Sequence, residues 1–225
     1  MGGSTNPDQD WTKQALADDI HVFVGALGLD NPLVAGHDIG GMVAYAYARQ
    51  YPDELAGVIV MDVPLPGFAP WDWVVSIPNS WHFDFHNQPI AEDLVAGQEA
   101  EYIRYFIDHV AKHPEAIADV DVAIYAEAYG TPERLRAGFE LYRAFDQDQA
   151  HFEAMTGPFD VQLLLIGAET AMAPALETMR EALEAGGATN VETAEIEDSG
   201  HWIMEEQPSA TAALIEAFAD SAFMD

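Results

Sequence analysis

Residues 33–47 read Leu33-Val34-Ala35-Gly36-His37-Asp38-Ile39-Gly40-Gly41-Met42-Val43-Ala44-Tyr45-Ala46-Tyr47, and this stretch decides the fold. An apolar run from Pro32 to Ala35 ends in Gly36-His37-Asp38-Ile39-Gly40-Gly41, and a small-residue, helix-prone segment follows at once. This strand, sharp turn and helix make the pattern of a nucleophile elbow, G-x-[nucleophile]-x-G, with Asp38 at its centre. The turn is strained, which predicts that residues two before and two after Asp38 carry little side chain. The residue type sets the chemistry. A carboxylate that attacks a saturated carbon forms an ester, which water can cleave, whereas a serine would form an ether. An Asp elbow therefore points to epoxides or alkyl halides. The competing reading is a Gly-rich turn that binds a phosphate or merely packs.

The 225 residues suffice for one substantial domain, or for a domain with an insertion, and a 49% hydrophobic, 11% aromatic composition provides a core. Without cysteine there is no disulfide and no thiolate metal site. The N-terminal residues lack the pattern of a signal peptide, and no apolar run is long enough to span a membrane. A cytoplasmic protein is the expectation. The chain carries 39 acidic and 8 basic residues, a net charge of −31, and its lysines are Lys13 and Lys112. Nucleic acids and anionic membranes are excluded as partners, because phosphate contacts need Lys and Arg. The acids are dispersed along the helical segments. That pattern fits adaptation to a high-salt cytosol, where screening removes self-repulsion, better than it fits an acidic interaction surface. The charge leaves a homo-oligomer open.

Apolar spacing predicts a helix over residues 11–28, a strand over 32–36, a helix to about Tyr51 and a buried parallel strand over 56–61, with Asp62 at its end. Pro64, Pro66, Gly67 and Pro70 then break the α/β rhythm. Helical stretches are read at 98–112, 115–129 and 132–150, the last opened by Thr131 and Pro132. The rhythm resumes with a strand at 161–166, a helix at 173–186, a strand at 191–196 and a helix at 209–218. The expected organisation is an α/β core of about four parallel strands, from residues 1–63 and 158–225, with a helical cap at 64–157.

Open α/β sheets gather their ligands at the carboxyl ends of the strands. Asp38 and Asp62 follow adjacent strands, and His201, in Asp198-Ser199-Gly200-His201-Trp202, follows the last one. An Asp in such a place orients an imidazole and stabilises its cation. Glu169, after strand 161–166, is the reserve acid, although the acid would be expected one position later, at Thr170. The pair His109 and His113 lacks the Glu of a zinc-protease helix, and no dinucleotide or Walker motif is present, so no metal or cofactor is expected.

With these pieces in order, the chain resembles the α/β-hydrolase superfamily, in its epoxide hydrolase and dehalogenase branch. The resemblance rests on Gly36-His37-Asp38-Ile39-Gly40-Gly41, Met61-Asp62-Val63-Pro64, Trp81-His82-Phe83, Leu141-Tyr142-Arg143-Ala144 and Ser199-Gly200-His201-Trp202. It implies Asp38 as nucleophile, His201 as base, Asp62 as acid and Tyr142 as the group that protonates the epoxide oxygen. It also implies the Ile39 amide as oxyanion donor, and His82, Phe83, Trp81, Ile39 and Trp202 around the substrate. Where fluoroacetate dehalogenases hold a carboxylate with arginines, this chain has Ile39 and Met42. Where haloalkane dehalogenases grip a halide with tryptophan, it has Ile39 and Phe83. A small, neutral, apolar epoxide therefore fits better than a haloalkane or haloacid.

The superfamily places about four further strands, and a His-Gly-x-Pro loop that completes the oxyanion hole, before the elbow. About 30 residues stand there in this chain. The expectation is a fragment, a partner-completed protein, or a non-catalytic remnant that only binds small apolar molecules. Weak turnover follows, because losing one oxyanion donor costs about 10²–10³ in rate.

Overall fold

A computed structural model of the chain describes residues 4 and 10–224; the N-terminal stretch read as lacking a signal-peptide pattern lies mostly outside the described residues. Four parallel strands form one sheet in the order β1 (Leu33–His37), β2 (Gly57–Met61), β3 (Gln162–Ala168) and β4 (Val191–Ile196). The register pairs Ala35 with Ile59, Ile59 with Leu164, and Leu164 with Glu192; β1 and β2 end level opposite Ile166, and β3 and β4 run on together to Ala168 and Ile196. β2 is buried along its whole length and β3 nearly so, as befits parallel strands covered on both faces. Side-chain alternation splits the core in two. Val58, Val60, Leu163 and Leu165 join one cluster with Met42, Tyr45 and Met179, while Ile59, Met61, Leu164 and Ile166 join Ile203 and Phe218 in another.

The helices on the sheet are α2 (Ile39–Gln50), α10 (Leu176–Ala185) and α12 (Pro208–Ala222), with α1 (Lys13–Leu27) packed on α2 and α11 (Ile203–Glu206) on α12. Thr12 caps α1 by accepting the Ala15 amide, and Gly28, at φ 64°, ends it in the left-handed conformation glycine tolerates. The helix expected at 173–186 opens with a 3-10 turn at Ala173–Ala175 before α10.

Between β2 and β3 the chain is helical, as anticipated, but more finely divided. It forms α3 (Trp71–Ser76), α4 (Trp81–His86), α5 (Ala91–Val95), α6 (Glu99–Val110), α7 (Asp119–Tyr129), α8 (Pro132–Arg143) and α9 (Phe145–Ala154). The stretch expected to be one helix over 132–150 breaks at Ala144. This block has small apolar cores of its own, Ala91, Val95, Leu135 and Phe139 in one and Ile107, Ile117 and Val122 in another. It meets the sheet's core through Trp71 and Phe145. A buried ion pair ties α1 to it: Lys13 Nζ lies 2.8 Å from Asp148 Oδ2, with neither side chain exposed. Asp148 Oδ1 also accepts the Lys13 amide at 2.8 Å, and the Lys13 ammonium donates to the Leu141 carbonyl and sits 4.5 Å from the Phe145 ring centre.

Candidate active site

Three of the four strands end in an aspartate forced into positive φ. Asp38 follows β1 at φ 52°, Asp62 follows β2 at φ 49°, and Asp198 follows β4 at φ 55°. Such a conformation in a non-glycine residue costs on the order of 1–3 kcal/mol, and is kept where the surroundings fix it. For Asp38 the surroundings are clear. Its amide donates to the Met61 carbonyl at 3.0 Å, and its own carbonyl accepts the Gly41 amide at 2.7 Å. A Cβ on Gly36 would stand 2.0 Å from the Gly40 carbonyl oxygen, and one on Gly41 would stand 2.9 Å from Val63. The glycine expected to be required at 40 is not, since a Cβ there meets nothing within 4 Å. The crowding falls on Gly36 and Gly41 because α2 leaves the turn directly over β1.

These turns bring the residues of the two core segments together. His201 Nδ1 donates to Asp62 Oδ2 at 2.7 Å, and His201 Nε2 lies 3.5 Å from Asp38 Oδ2. Asp62, 2% exposed, is fixed by its other oxygen, which accepts the amides of Ala168 at 2.7 Å and Met172 at 3.1 Å. The Asp38 side chain is 41% exposed, so its carboxylate is open to an incoming molecule. Glu169 goes elsewhere. It takes Lys112 Nζ at 2.7 Å and the Asp198 amide at 2.7 Å, leaving Asp62 on the imidazole. Thr170 does touch the loop that carries His201, through its hydroxyl on the Ser199 carbonyl at 3.2 Å.

The charges follow from this arrangement. Burial would raise the Asp38 carboxyl, but the hydrogen-bonded His201 cation, helped by His37 and His82, outweighs it and holds the group at about 2. Burial would lower His201, but Asp38 and Asp62 flank it and raise it to about 10. The resting site is thus an imidazolium between two carboxylates. Burial lowers His82 to about 4 despite the pull of Asp38, so His82 is neutral at pH 7. Burial and the Asp38 charge together raise Tyr142 well above its ordinary value, which keeps its proton in place.

His82, Phe83 and Tyr142 gather above Asp38, the Tyr142 ring lying 5.6 Å from each of the other two and 5.2 Å from Phe145. Ile39 packs into the core beside them. As the first residue of α2, it has an amide without an intrahelical acceptor. Trp202 meets His201 edge-on at 5.3 Å and backs onto the Ile107 cluster. Trp81 is set differently from the others. It is 39% exposed, stacks on Phe106 and lines a shallow outer groove of about 420 Å³ with Leu94 and Tyr105.

His37 has a part that its place in the motif did not disclose. Its Nε2 lies 2.8 Å from the His201 carbonyl, which only accepts, so His37 donates from Nε2 and steadies the loop below the imidazole. His37, Asp62 and His201 have donor atoms within 4.8 Å of one another and are the metal-capable group found among the described residues. His37 Nε2, His201 Nδ1 and both Asp62 oxygens already take part in the bonds above. His109 and His113 do not converge; His109 binds the Tyr105 carbonyl, while His113 pairs with Asp198 at 3.0 Å.

The profile of the family described as "Alpha/beta hydrolase family" matches residues 1–214. The chain is 26% identical over 216 residues to the soluble epoxide hydrolase of Corynebacterium sp. (strain C12), covering 92% of this chain and 73% of that one. It is 22% identical over 213 residues to epoxide hydrolase 4 of Mus musculus, covering 90% and 58%. Among solved structures it is similar to Cfl2 of Burkholderia cenocepacia, with a TM-score of 0.82 and 29% identity over 97% of this chain and 75% of that one. It is also similar to the epoxide hydrolase CorEH, with a TM-score of 0.84 and 25% identity over 98% and 79%. No described helix is long and apolar enough to cross a membrane.

Proposed function

Because the chain belongs to the alpha/beta hydrolase family and is similar to epoxide hydrolases, we propose that it is an epoxide hydrolase working through an aspartyl ester. The observation that carries the reading is the line Asp62–His201–Asp38, 2.7 Å on one side of the imidazole and 3.5 Å on the other. In this reading residues 64–157 are a cap over a core built from residues 1–63 and 158–225.

Asp38, held ionised, attacks an epoxide carbon, and the opening oxygen takes the Tyr142 proton. The high pKa of Tyr142 is no obstacle, since an alkoxide is a far stronger base than a tyrosinate. The ester is neutral, so the step removes one of the two charges that keep His201 protonated. His201 then gives up its proton, which restores Tyr142, and becomes the base that activates water. Hydroxide adds to the ester carbonyl, the Ile39 amide donates to the oxyanion, and the diol leaves with the proton His201 returns. Asp38, regenerated as an acid, reprotonates His201. Asp62 stays hydrogen-bonded to Nδ1 throughout and holds the ring in place. His82, neutral at pH 7, assists Tyr142 at the epoxide oxygen.

The pocket favours a neutral substrate. Ile39 and Met42 offer no cation to a carboxylate, and Lys13 is spent on Asp148. Phe83, Trp202 and Ile39 supply apolar walls. The test is styrene oxide with the wild-type chain, His201→Gln and Asp38→Asn. Diol from the wild type, a covalent adduct on Asp38 that persists in His201→Gln, and no adduct in Asp38→Asn are expected. Halide release from an alkyl halide, with no diol from the epoxide, would move the chain to the dehalogenases. No product and no adduct from either substrate would leave it a binding protein.

A further inference from the structure

Glu206 is buried, has no cation beside its carboxylate among the contacts described, and has no part in the steps above. Its surroundings are four backbone amides. Oε2 accepts from Gly200 at 2.9 Å, Lys112 at 2.8 Å and His113 at 2.9 Å, and Oε1 accepts from Trp202 at 3.1 Å. Two of these donors flank His201 in sequence. The other two end the segment that leaves α6. His201's own amide donates to the Val110 carbonyl of that segment at 3.0 Å. The two stretches touch so closely that a Cβ on Gly200 would lie 2.4 Å from the Lys112 nitrogen. A carboxylate 8% exposed that gathers four amides makes charge-assisted bonds, about twice as strong as neutral ones, in a fixed fan.

We infer that Glu206 is a positioning residue for His201, and that it fixes the imidazole by clamping the 199–202 loop to the 110–113 segment of the helical block. The inference rests on the proposed role of His201 as the base that hydrolyses the ester. The clamp holds the backbone on both sides of His201, while Asp62 holds the ring. Ester formation at Asp38 does not use the imidazole as a base, whereas ester hydrolysis does. Loosening the clamp therefore slows the second step and spares the first. It also ties the seat of the helical block to the place of the base, since Lys112 and His113 share the oxygen that Gly200 uses.

Glu206→Gln keeps the side chain's length and exchanges an acceptor oxygen for an NH₂ that opposes the amides. Single-turnover experiments with styrene oxide, followed by intact mass, separate the two steps. We expect adduct formation at the wild-type rate and adduct hydrolysis slowed about 10- to 100-fold, as for a misplacement on the order of 1 Å. The downfield proton resonance of His201 Nδ1–H should shift or broaden, and Glu206→Asp should recover part of the rate. Hydrolysis at the wild-type rate with that resonance unmoved overturns the inference, and so does equal slowing of both steps, which is a general loss of structure. If Glu206→Gln does not fold, Glu206→Asp decides. Hydrogen exchange of the Gly200, Trp202, Lys112 and His113 amides should be slow in the wild-type chain and should speed up in Glu206→Asp together with a moved His201 Nδ1 proton; a Glu206→Asp chain with that proton unmoved and adduct hydrolysis at the wild-type rate overturns the inference. His201→Gln run alongside isolates the underlying reading. If that variant hydrolyses its adduct as fast as the wild type, His201 is not the base, whatever Glu206 does.

Discussion

Asp38→Asn is the perturbation that probes the site's charge logic most directly. It keeps the side chain's size and one acceptor oxygen and deletes its charge. In the wild type, burial pulls the His201 pKa down, and Asp38 at 3.5 Å and Asp62 at 2.7 Å pull it up to about 10. An opposite charge at such a distance moves a pKa by about 1–3 units. The His201 midpoint should therefore fall by about 1–3 units in Asp38→Asn, a loss of about 1.4–4 kcal/mol in preference for the imidazolium. The sign carries over to stability. The folded-state pKa lies above the ordinary 6.5, so between 6.5 and about 10 the folded chain holds one proton more than the unfolded chain. Stability from His201 is complete below 6.5 and declines as pH rises through about 10. In the variant the decline should finish at lower pH. Ring resonances of His201 followed by NMR against pH, with urea unfolding at the same pH values, measure both effects. The same His201 midpoint in both proteins would refute the argument that forming the ester is what frees the base.

Tyr142→Phe should lower kcat/KM for epoxide opening by about 10²–10⁴, the usual worth of a general acid, and an unchanged value removes Tyr142 from the mechanism. Lys13→Met leaves the Asp148 charge buried without its cation and should cost about 3–5 kcal/mol in urea unfolding, most of it regained in Lys13→Met/Asp148→Leu; a single variant as stable as the wild type would refute the pairing. The melting temperature should climb steeply from low to molar KCl, because screening relieves a net charge of −31; a flat or falling curve ends the high-salt reading.

β1, β2, β3 and the elbow were legible because each strand is a short apolar run closed by a turn signal, and two-sided burial leaves little room for polar residues in β2 and β3. The positions of Asp38, Asp62 and His201 followed from the strand ends. The choice between Asp62 and Glu169 did not, because both follow central strands. In the structure Lys112 reaches Glu169 from the helical block, while the Ala168 and Met172 amides converge on Asp62, which meets the imidazole. α3, α4 and α5 are each under two turns, too short for a helical period to show among the prolines and aromatics. The break at Ala144 has no proline or glycine to mark it. The outward setting of Trp81 depends on how α4 sits on α6, which residue spacing does not encode. Lys13 and Asp148 are 135 positions apart, and Glu206 gathers backbone amides; a search for side-chain patterns detects neither.

The order of the sheet has a consequence for how the molecule is made. β2 finds its second neighbour, β3, only after the whole helical block has been synthesised, which at ribosomal speeds takes about 5–20 s. Throughout that interval a nascent chain presents Gly57–Met61, a run buried in the finished protein, with one backbone edge bare. Asp62 waits longer still, since its amide partners at Ala168 and Met172 and its imidazole at His201 all lie downstream. The helical block has small apolar cores of its own, but that edge is covered only when β3 arrives. Chaperone dependence and aggregation on release should accordingly concentrate in ribosome-stalled lengths that end between β2 and β3, and fade once β3 has emerged.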